Sequence, residues 1–295
     1  MKTIDPASVS HQQLHRLMLE AVAPRPIAFA STIDANGRPN LSPFSFFNAF
    51  GVNPSTLIFS PSRRGRDNTT KHTYQNIKEV PEVVINVVTF DMVEQVNLAS
   101  TEYAKGVNEF EKAGFTALPS LSVKPFRVAE SPVQFECEVR EVIETGEGGG
   151  AANLVICTIK MVHVDEAVLD ARGNIDPNRI RLVGRMGGAY YIKAFGDQLF
   201  KVDKPLEKTG IGIDSLPERI RHSILLNGNE LGKLGNNERL PDERDIRALM
   251  DDPRFRDLFP GCPEPAERSK SFQLAAKSML ASGLNWEALC LLMAD

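Results

Sequence analysis

The chain has 295 residues with 34 Lys+Arg against 38 Asp+Glu, so it exceeds one modest domain, and its net charge of −4 excludes a general nucleic-acid binder with a basic face. At 42% hydrophobic, with 16 Phe, it can bury a sizeable core; Cys137, Cys157, Cys262 and Cys290 are scattered without a CxxC pair, which reads as free thiols in a reducing compartment and not as a zinc site. The start "MKTIDPASVSHQQLH" has no apolar core and no run of 18 apolar residues occurs, so neither a secretory leader nor a membrane span is expected, and a soluble cytoplasmic protein is.

From about residue 25 to 195 the patterning is that of strands. "PIAFASTID" leads through a turn at Ala35-Asn36-Gly37-Arg38 into "RPNLSPFSFFN", which predicts a hairpin. "TLIFSP" and "EVVINVVT" are short β-branched runs of the kind found in buried strands. Threonines suited to capping open a short helix in "TTKHTYQNIKEV". "FDMVEQVNLASTEYA" also reads as a helix, with Met92, Val96 and Leu98 or Ala99 near one face. "VQFECEVREVIET" alternates and meets "NLVICTIKMVHVDEAVL" across "GEGGGAA", a second hairpin. These elements predict a small antiparallel barrel with short helices. After "GDQLF" the style changes to Pro- and Gly-rich loops followed by helices. "DERDIRALMDD" starts on acids, and Phe272, Ala276, Met279, Leu280 and Leu284 recur near helical spacing. The division is therefore 1–195, a barrel domain, and 196–295, an extension of loops and helices whose apolar faces need something to bury against.

The chemistry concentrates in "RRGRDNTTKHT", where Arg63, Arg64, Arg66 and Lys71 stand among three threonines in an otherwise acidic chain. A strand, a polar loop and a helix N-terminus in succession make an anion site, because free N–H groups and the positive dipole end point the same way. Lys71, Thr73 and Ser60, with one arginine, are candidate phosphate ligands. On spacing alone a solvated surface loop reads equally well, and no GxxxxGK[ST] occurs. "NLSPFSFFNAFG" sets four phenylalanines between Ser42, Ser45 and Asn48; a flat heteroaromatic ligand would use both rings and polar groups, whereas a core strand with outward serines is the simpler reading.

Other candidates carry less. His11 and His15, at i and i+4, lack an evident third metal ligand, so no metal is expected. Glu109 and Glu111 face apart on a helix and read as solvated. His163 reads as a strand surface residue, and "GEGGG" as a turn without the GxGxxG spacing. In "LVGRMGGAYYIKAFG", Gly187 and Gly188 permit close backbone approach, and Arg185 and Tyr190 are candidate nicotinamide contacts beside the reading as a plain loop and strand. No GxSxG and no convincing triad is present, so no catalytic side chain is assigned.

Four blocks, "PRPIAFASTIDANGRPNLSPFSFFNAF", "PSTLIFSPSRR", "TTKHTYQNIKE" and "EVVINVV", occur in an order and spacing that resembles the flavin reductase-like family with an FMN-binding split β-barrel, in the style of flavoredoxin and the reductase component of nitrilotriacetate monooxygenase. The resemblance covers about residues 20–195. It implies an antiparallel split barrel, a homodimer, FMN as cofactor and NAD(P)H as hydride donor. Carried over by position, it implies that Ser31, Thr32, Asn40, Ser45, Phe46, Phe47 and Asn48 face the isoalloxazine, and that Ser60, Lys71 and Thr73, helped by Arg63 or Arg66, hold the phosphate. One departure is Lys71-His72-Thr73 where the family commonly has Lys-Asp-Thr. The implied function is an FMN oxidoreductase passing electrons to free flavin, a partner monooxygenase or another acceptor. The alternative is a flavoredoxin-like carrier reduced by a protein. For the extension the resemblance offers no role; a cover over the flavin or a dimer interface is the expectation.

Overall fold

The β-branched and aromatic runs pair into one antiparallel sheet. The computed structural model describes residues 1–202, 209–255 and 265–295. It falls into two compact units, Met1–Phe200 and Lys201–Asp295. The strands of the first unit are β1 (Ala28–Ile33), β2 (Pro39–Phe44), β3 (Phe47–Val52), β4 (Ser55–Phe59), β5 (Glu82–Asn86), β6 (Ala117–Leu118), β7 (Arg127–Val128), β8 (Val133–Glu144), β9 (Asn153–Val164), β10 (Val183–Arg185) and β11 (Tyr191–Lys193). Seven of them form the sheet in the order β2-β1-β5-β8-β9-β4-β3, while β6–β7 and β10–β11 are separate two-stranded ribbons. The two edge strands, β2 and β3, are consecutive in the chain and separated only by Ser45 and Phe46. This is a split barrel, and those two residues span its opening.

Both predicted hairpins form. The first turns where Gly37 takes φ +78°, a left-handed conformation that glycine adopts without a Cβ clash. The Asp34 carboxylate accepts from the backbone N–H groups of Asn36 and Arg38, which fixes the register of β1 and β2. β1 is buried along its whole length because both of its faces are covered. Ala28 and Ala30 join Phe44, Leu57, Phe59, Ile85, Cys137 and Cys157 in one cluster. Phe29 joins Leu41, Val88, Met92, Val96 and Phe110 in another.

The helices of this unit are α1 (His11–Ala21), α2 (His72–Glu79), α3 (Val93–Ala99), α4 (Glu109–Ala113) and α5 (Pro177–Ile180). On the helical stretch around α3, Met92, Val96 and Ala99 are buried while Leu98 is exposed, which settles its inward face. Two acidic positions differ from the sequence reading. Glu109 is buried at the start of α4, and its carboxylate accepts from the Leu41 N–H of the edge strand β2 at 3.0 Å. Burial pushes its pKa up, against the hydrogen bonds it accepts. His163 is not a free strand surface residue; its Nε2 lies 2.7 Å from Glu136, which is fully buried.

The second unit holds α6 (Glu218–Arg221), α7 (Gly228–Gly235), α8 (Glu243–Asp251), α9 (Pro265–Ala281) and α10 (Asn285–Met293). Capping boxes start α7 (Asn227 with Glu230) and α8 (Asp242 with Asp245). Phe272, Ala276, Met279 and Leu280 pack with Leu234, Leu249 and Leu289–Leu292 into a core of their own. The apolar helices therefore bury much of their surface against one another, while Ile224 and Leu274 stay exposed. Cys262 lies outside the described residues. Among the described residues no helix is long and apolar enough to cross a membrane.

Glu136 is the most heavily bonded buried carboxylate. It accepts from the N–H groups of Leu121 and Ser122, from the Ser122 hydroxyl and from His163. Burial opposes its charge, but these hydrogen bonds outweigh burial and hold its pKa down at about 2. Its folded pKa lies below its unfolded one. Its contribution to stability is therefore complete above the ordinary carboxylate range and is lost as the pH falls from 4.5 toward about 2. Glu136→Gln puts an amide NH2 against those donors and is expected to destabilise the protein by about 3 kcal/mol at neutral pH. Urea midpoints measured at falling pH check both parts: the variant loses the acid-side slope assigned to Glu136, and equal midpoints would disprove the role.

Candidate functional site

The loop that follows β4 and the two residues spanning the barrel opening face a common cavity of about 410 Å³. One wall is Ser42–Phe46, from β2 and the crossing to β3. The second is Ser60, Ser62, Arg63, Arg64, Gly65, Arg66 and Lys71. Ser100 and Glu102, just after α3, supply the third. The walls meet there because the Ser60 N–H donates to the Phe46 carbonyl at 2.9 Å, which closes the end of β4 over the crossing.

Buried amides and a glycine hold the cationic loop in place. Asn153 donates from its backbone to Ser60 Oγ at 3.2 Å and from its side chain to the Pro61 carbonyl at 3.0 Å. Arg63 spends its guanidinium on Asn68, whose backbone has φ +58°. Its own backbone pairs with Ala151 and Gly150 of the β8–β9 connector. At Gly149 a Cβ would meet the Arg64 and Gly65 carbonyls at 3.2 Å. The glycine-rich "GEGGG" is thus a turn, as read, and it also lets the hairpin tip lie against the loop.

α2 begins at the end of this loop. The threonines expected to cap it do not: the N-cap is Lys71 and no side chain caps the helix. Thr69 bonds Asp67 and Thr70 accepts from Gln75, because the tight loop needs those hydroxyls for itself. The first-turn N–H groups of α2 therefore have no side-chain cap beside Lys71. Arg64, Arg66 and Lys71 all reach Glu102, at 3.0, 3.1 and 3.4 Å. Hydrogen bonding to Arg64 lowers the Glu102 pKa against burial, with Lys71 adding to it. Burial, then the charges of Arg64, Lys105 and Lys71, lowers the His72 pKa.

Of the residues singled out from the sequence, Ser45, Phe46, Ser60, Arg63, Arg66 and Lys71 line the cavity. Ser31, Thr32, Asn40, Phe47, Asn48 and Thr73 do not. Asn40 and Thr73 are buried and bonded to each other at 3.0 Å, and Thr32 accepts from Asn76 of α2 at 3.1 Å; these pairs fasten α2 to β1 and β2. Ser31 is fully buried, with no hydrogen-bond partner for its Oγ. Phe47 packs against the barrel core, and Asn48 is exposed and bonds the adjacent Ala49 N–H. Arg64 and Ser62 are lining residues that sequence reasoning left unassigned, although both stand beside residues it chose. Ser100 and Glu102 carried no local signal beyond a helix end.

The Gly-Gly-Tyr stretch lies elsewhere. At Gly187 a Cβ would come within 3.2 Å of the Glu20 Cα of α1, so its close approach is to a helix. Arg185 and Lys193 stack on Tyr191 and Phe90 around a separate cavity of about 370 Å³. His15, at i+4 from His11 on α1, packs edge-on against Phe46 with ring centroids 6.4 Å apart.

His72 reports on the charge of the cavity. An anion added among the cations cancels part of the field that lowers its pKa, so inorganic phosphate is expected to raise it toward the ordinary histidine range. NMR titration of the His72 ring with and without phosphate checks this, and an unmoved titration curve would disprove it.

A family profile described as "Flavin reductase like domain" matches residues 21–179. An uncharacterized protein of Aquifex aeolicus (strain VF5) is 38% identical over 189 residues, covering 64% of this chain and 94% of its own. The chain is similar in structure to nitrilotriacetate monooxygenase component B from Bacillus cereus, with a TM-score of 0.64 at 26% identity over 68% of this chain and 98% of that one. It shares its fold with flavoredoxin of Desulfovibrio vulgaris (Miyazaki F), with a TM-score of 0.53 at 22% identity over 68% of this chain and 96% of that one.

Proposed function

The chain belongs to the flavin reductase like domain family, and from that premise we propose that it is an FMN-binding oxidoreductase that takes a hydride from NADH or NADPH and passes electrons to free flavin, a partner monooxygenase or another acceptor. The observation that carries the reading is the gathering of Arg64, Arg66 and Lys71 around Glu102 in one cavity at the barrel opening. The donor set fits a flavin phosphate: cations, the bonded Ser60–Ser62 hydroxyl pair and the uncapped start of α2 all favour an anion. The volume of about 410 Å³ is that of a small-molecule site. When bound, FMN supplies the redox chemistry, since its isoalloxazine accepts a hydride and gives up electrons singly or in pairs.

The chain's own residues bind and orient. Lys71, Arg64 and Arg66 hold the phosphate. Arg63, committed to Asn68, keeps the loop in shape. Ser45 and Phe46 offer a hydroxyl and a ring to the isoalloxazine at the barrel opening. Asn40, Thr73 and Thr32 act indirectly, by fixing α2. No residue is needed as nucleophile or general base, because hydride transfer depends on proximity and on donors placed at developing charge. Flavin chemistry is assigned to the barrel domain, residues 1–195 within the first unit Met1–Phe200, and the second unit, Lys201–Asp295, has a core of its own. A homodimer belongs to the same proposal, supported by the edge strand β3, which leaves Phe50 and Val52 exposed. So does a cytoplasmic setting, where the buried thiols of Cys137, Cys157 and Cys290 remain reduced. The likeness to a monooxygenase component supports a partner oxygenase as acceptor.

Visible spectra of the purified protein with FMN, before and after anaerobic NADH and NADPH, test the reading. Flavin bands that bleach support the reductase and name its donor. Bands that persist turn the assignment to a carrier reduced by a protein, and failure to bind FMN overturns it. Lys71→Met is expected to weaken FMN by roughly tenfold or more, the loss of one charge-assisted hydrogen bond, and to leave riboflavin affinity unchanged. Flavin fluorescence titration measures both.

A further inference from the structure

Three of the cations available to a phosphate close on a carboxylate of the chain itself. Arg64 Nε, Arg66 and Lys71 Nζ lie 3.0, 3.1 and 3.4 Å from the two oxygens of Glu102. Glu102 lines the same cavity as these cations and as Ser60, Ser62 and Ser100. A carboxylate and a phosphate monoester compete for the same donors, and the phosphate brings the larger charge and three terminal oxygens. The two anions cannot both take all three cations, and each repels the other at contact distance.

We propose that Glu102 is a built-in competitor for the phosphate of the flavin, displaced when the ligand binds and returning to the cations when it leaves. The inference rests on the flavin reading and deepens it, because it makes the flavin an exchangeable ligand and not a permanently held group. The mobility required is modest. Glu102 sits in a short segment after α3, and its side chain is 42% exposed. Exposed ion pairs of this kind contribute little to folding, so they can break without loss of the fold. Lys71 is 34% exposed and Arg66, which also bonds Asp67 at 3.1 Å, is 75% exposed, so both can turn from Glu102 to a ligand. Arg64 is anchored by the Thr70 carbonyl and the Thr69 hydroxyl, and it remains as the fixed point of the site.

The test compares the wild-type chain with Glu102→Gln and Glu102→Ala by fluorescence titration and stopped-flow dissociation, using FMN and riboflavin. Removing one negative charge near a phosphate dianion is expected to tighten FMN binding by roughly tenfold and to slow its release, with riboflavin unchanged. Thermal melts of both variants matching the wild type establish that the fold is intact. FMN affinity that is unchanged or weaker in both variants would overturn the inference and make Glu102 an orienting partner of the cations. An equal gain for riboflavin would overturn it as well, because the effect would not involve the phosphate. If the wild-type chain binds riboflavin and FMN equally, the competitor role fails while the flavin reading stands. If it binds neither, the flavin reading itself has failed and the inference falls with it.

Discussion

The buried guanidinium of Arg25 is the interaction on which the first unit depends. It is 6% exposed and donates to the Leu19 and Val22 carbonyls at the end of α1, to Ser45 Oγ, and to the Met186 carbonyl beyond β10. Burial, with the nearby charge of Arg185, lowers its pKa, but an arginine stays protonated at any physiological pH. A buried charge without donors' partners would be very costly, and here carbonyl and hydroxyl oxygens stand in for water. The C-terminal end of α1 is suited to this because its free carbonyls and dipole favour a cation. One side chain thereby joins the N-terminal helix, the crossing between the edge strands and the β10–β11 ribbon. The cavity owes its Ser45 wall to that junction.

The rest of the scaffold follows the same logic of amide and hydroxyl pairs sealed inside the sheet. Asn86 donates to the Phe29 carbonyl and accepts from the Val128 N–H, linking β1, β5 and β7. Asn40–Thr73 and Thr32–Asn76 do this for α2. Asn153 does it for the start of the cationic loop. Such pairs are directional, so they fix position more sharply than apolar contact does. Among the cations, Arg66 and Lys71 stay accessible, at 75% and 34% exposed, while Arg64 is mostly covered. A bonded polar interior thus lies beneath a cation cluster that Glu102 neutralises.

Much of this was legible in the chain itself. The turn at Gly37, the alternation of β8 and β9 and the helical period of α3 are local, and period and turn chemistry report them directly, although the period leaves open whether Leu98 or Ala99 faces inward. The cationic loop was legible for the same reason, since Arg63, Arg64, Arg66 and Lys71 lie within a few residues of one another. Six of the twelve candidate ligand residues line the cavity. The others carry over by position from the family resemblance, and position in the chain does not distinguish a ligand contact from a buried structural pair such as Asn40 and Thr73.

What the sequence by itself determined is therefore the strand and helix periods, the hairpins and the place where cations gather. Tertiary structure alone decided which of those groups meet. Arg25 and Met186 are 161 residues apart, and Arg64 and Glu102 are 38 apart. Glu136 and His163 are brought together by the register of two paired strands. Local propensity acts over a few bonds, whereas the burial of a charge or the pairing of two ions depends on what the rest of the fold places beside it.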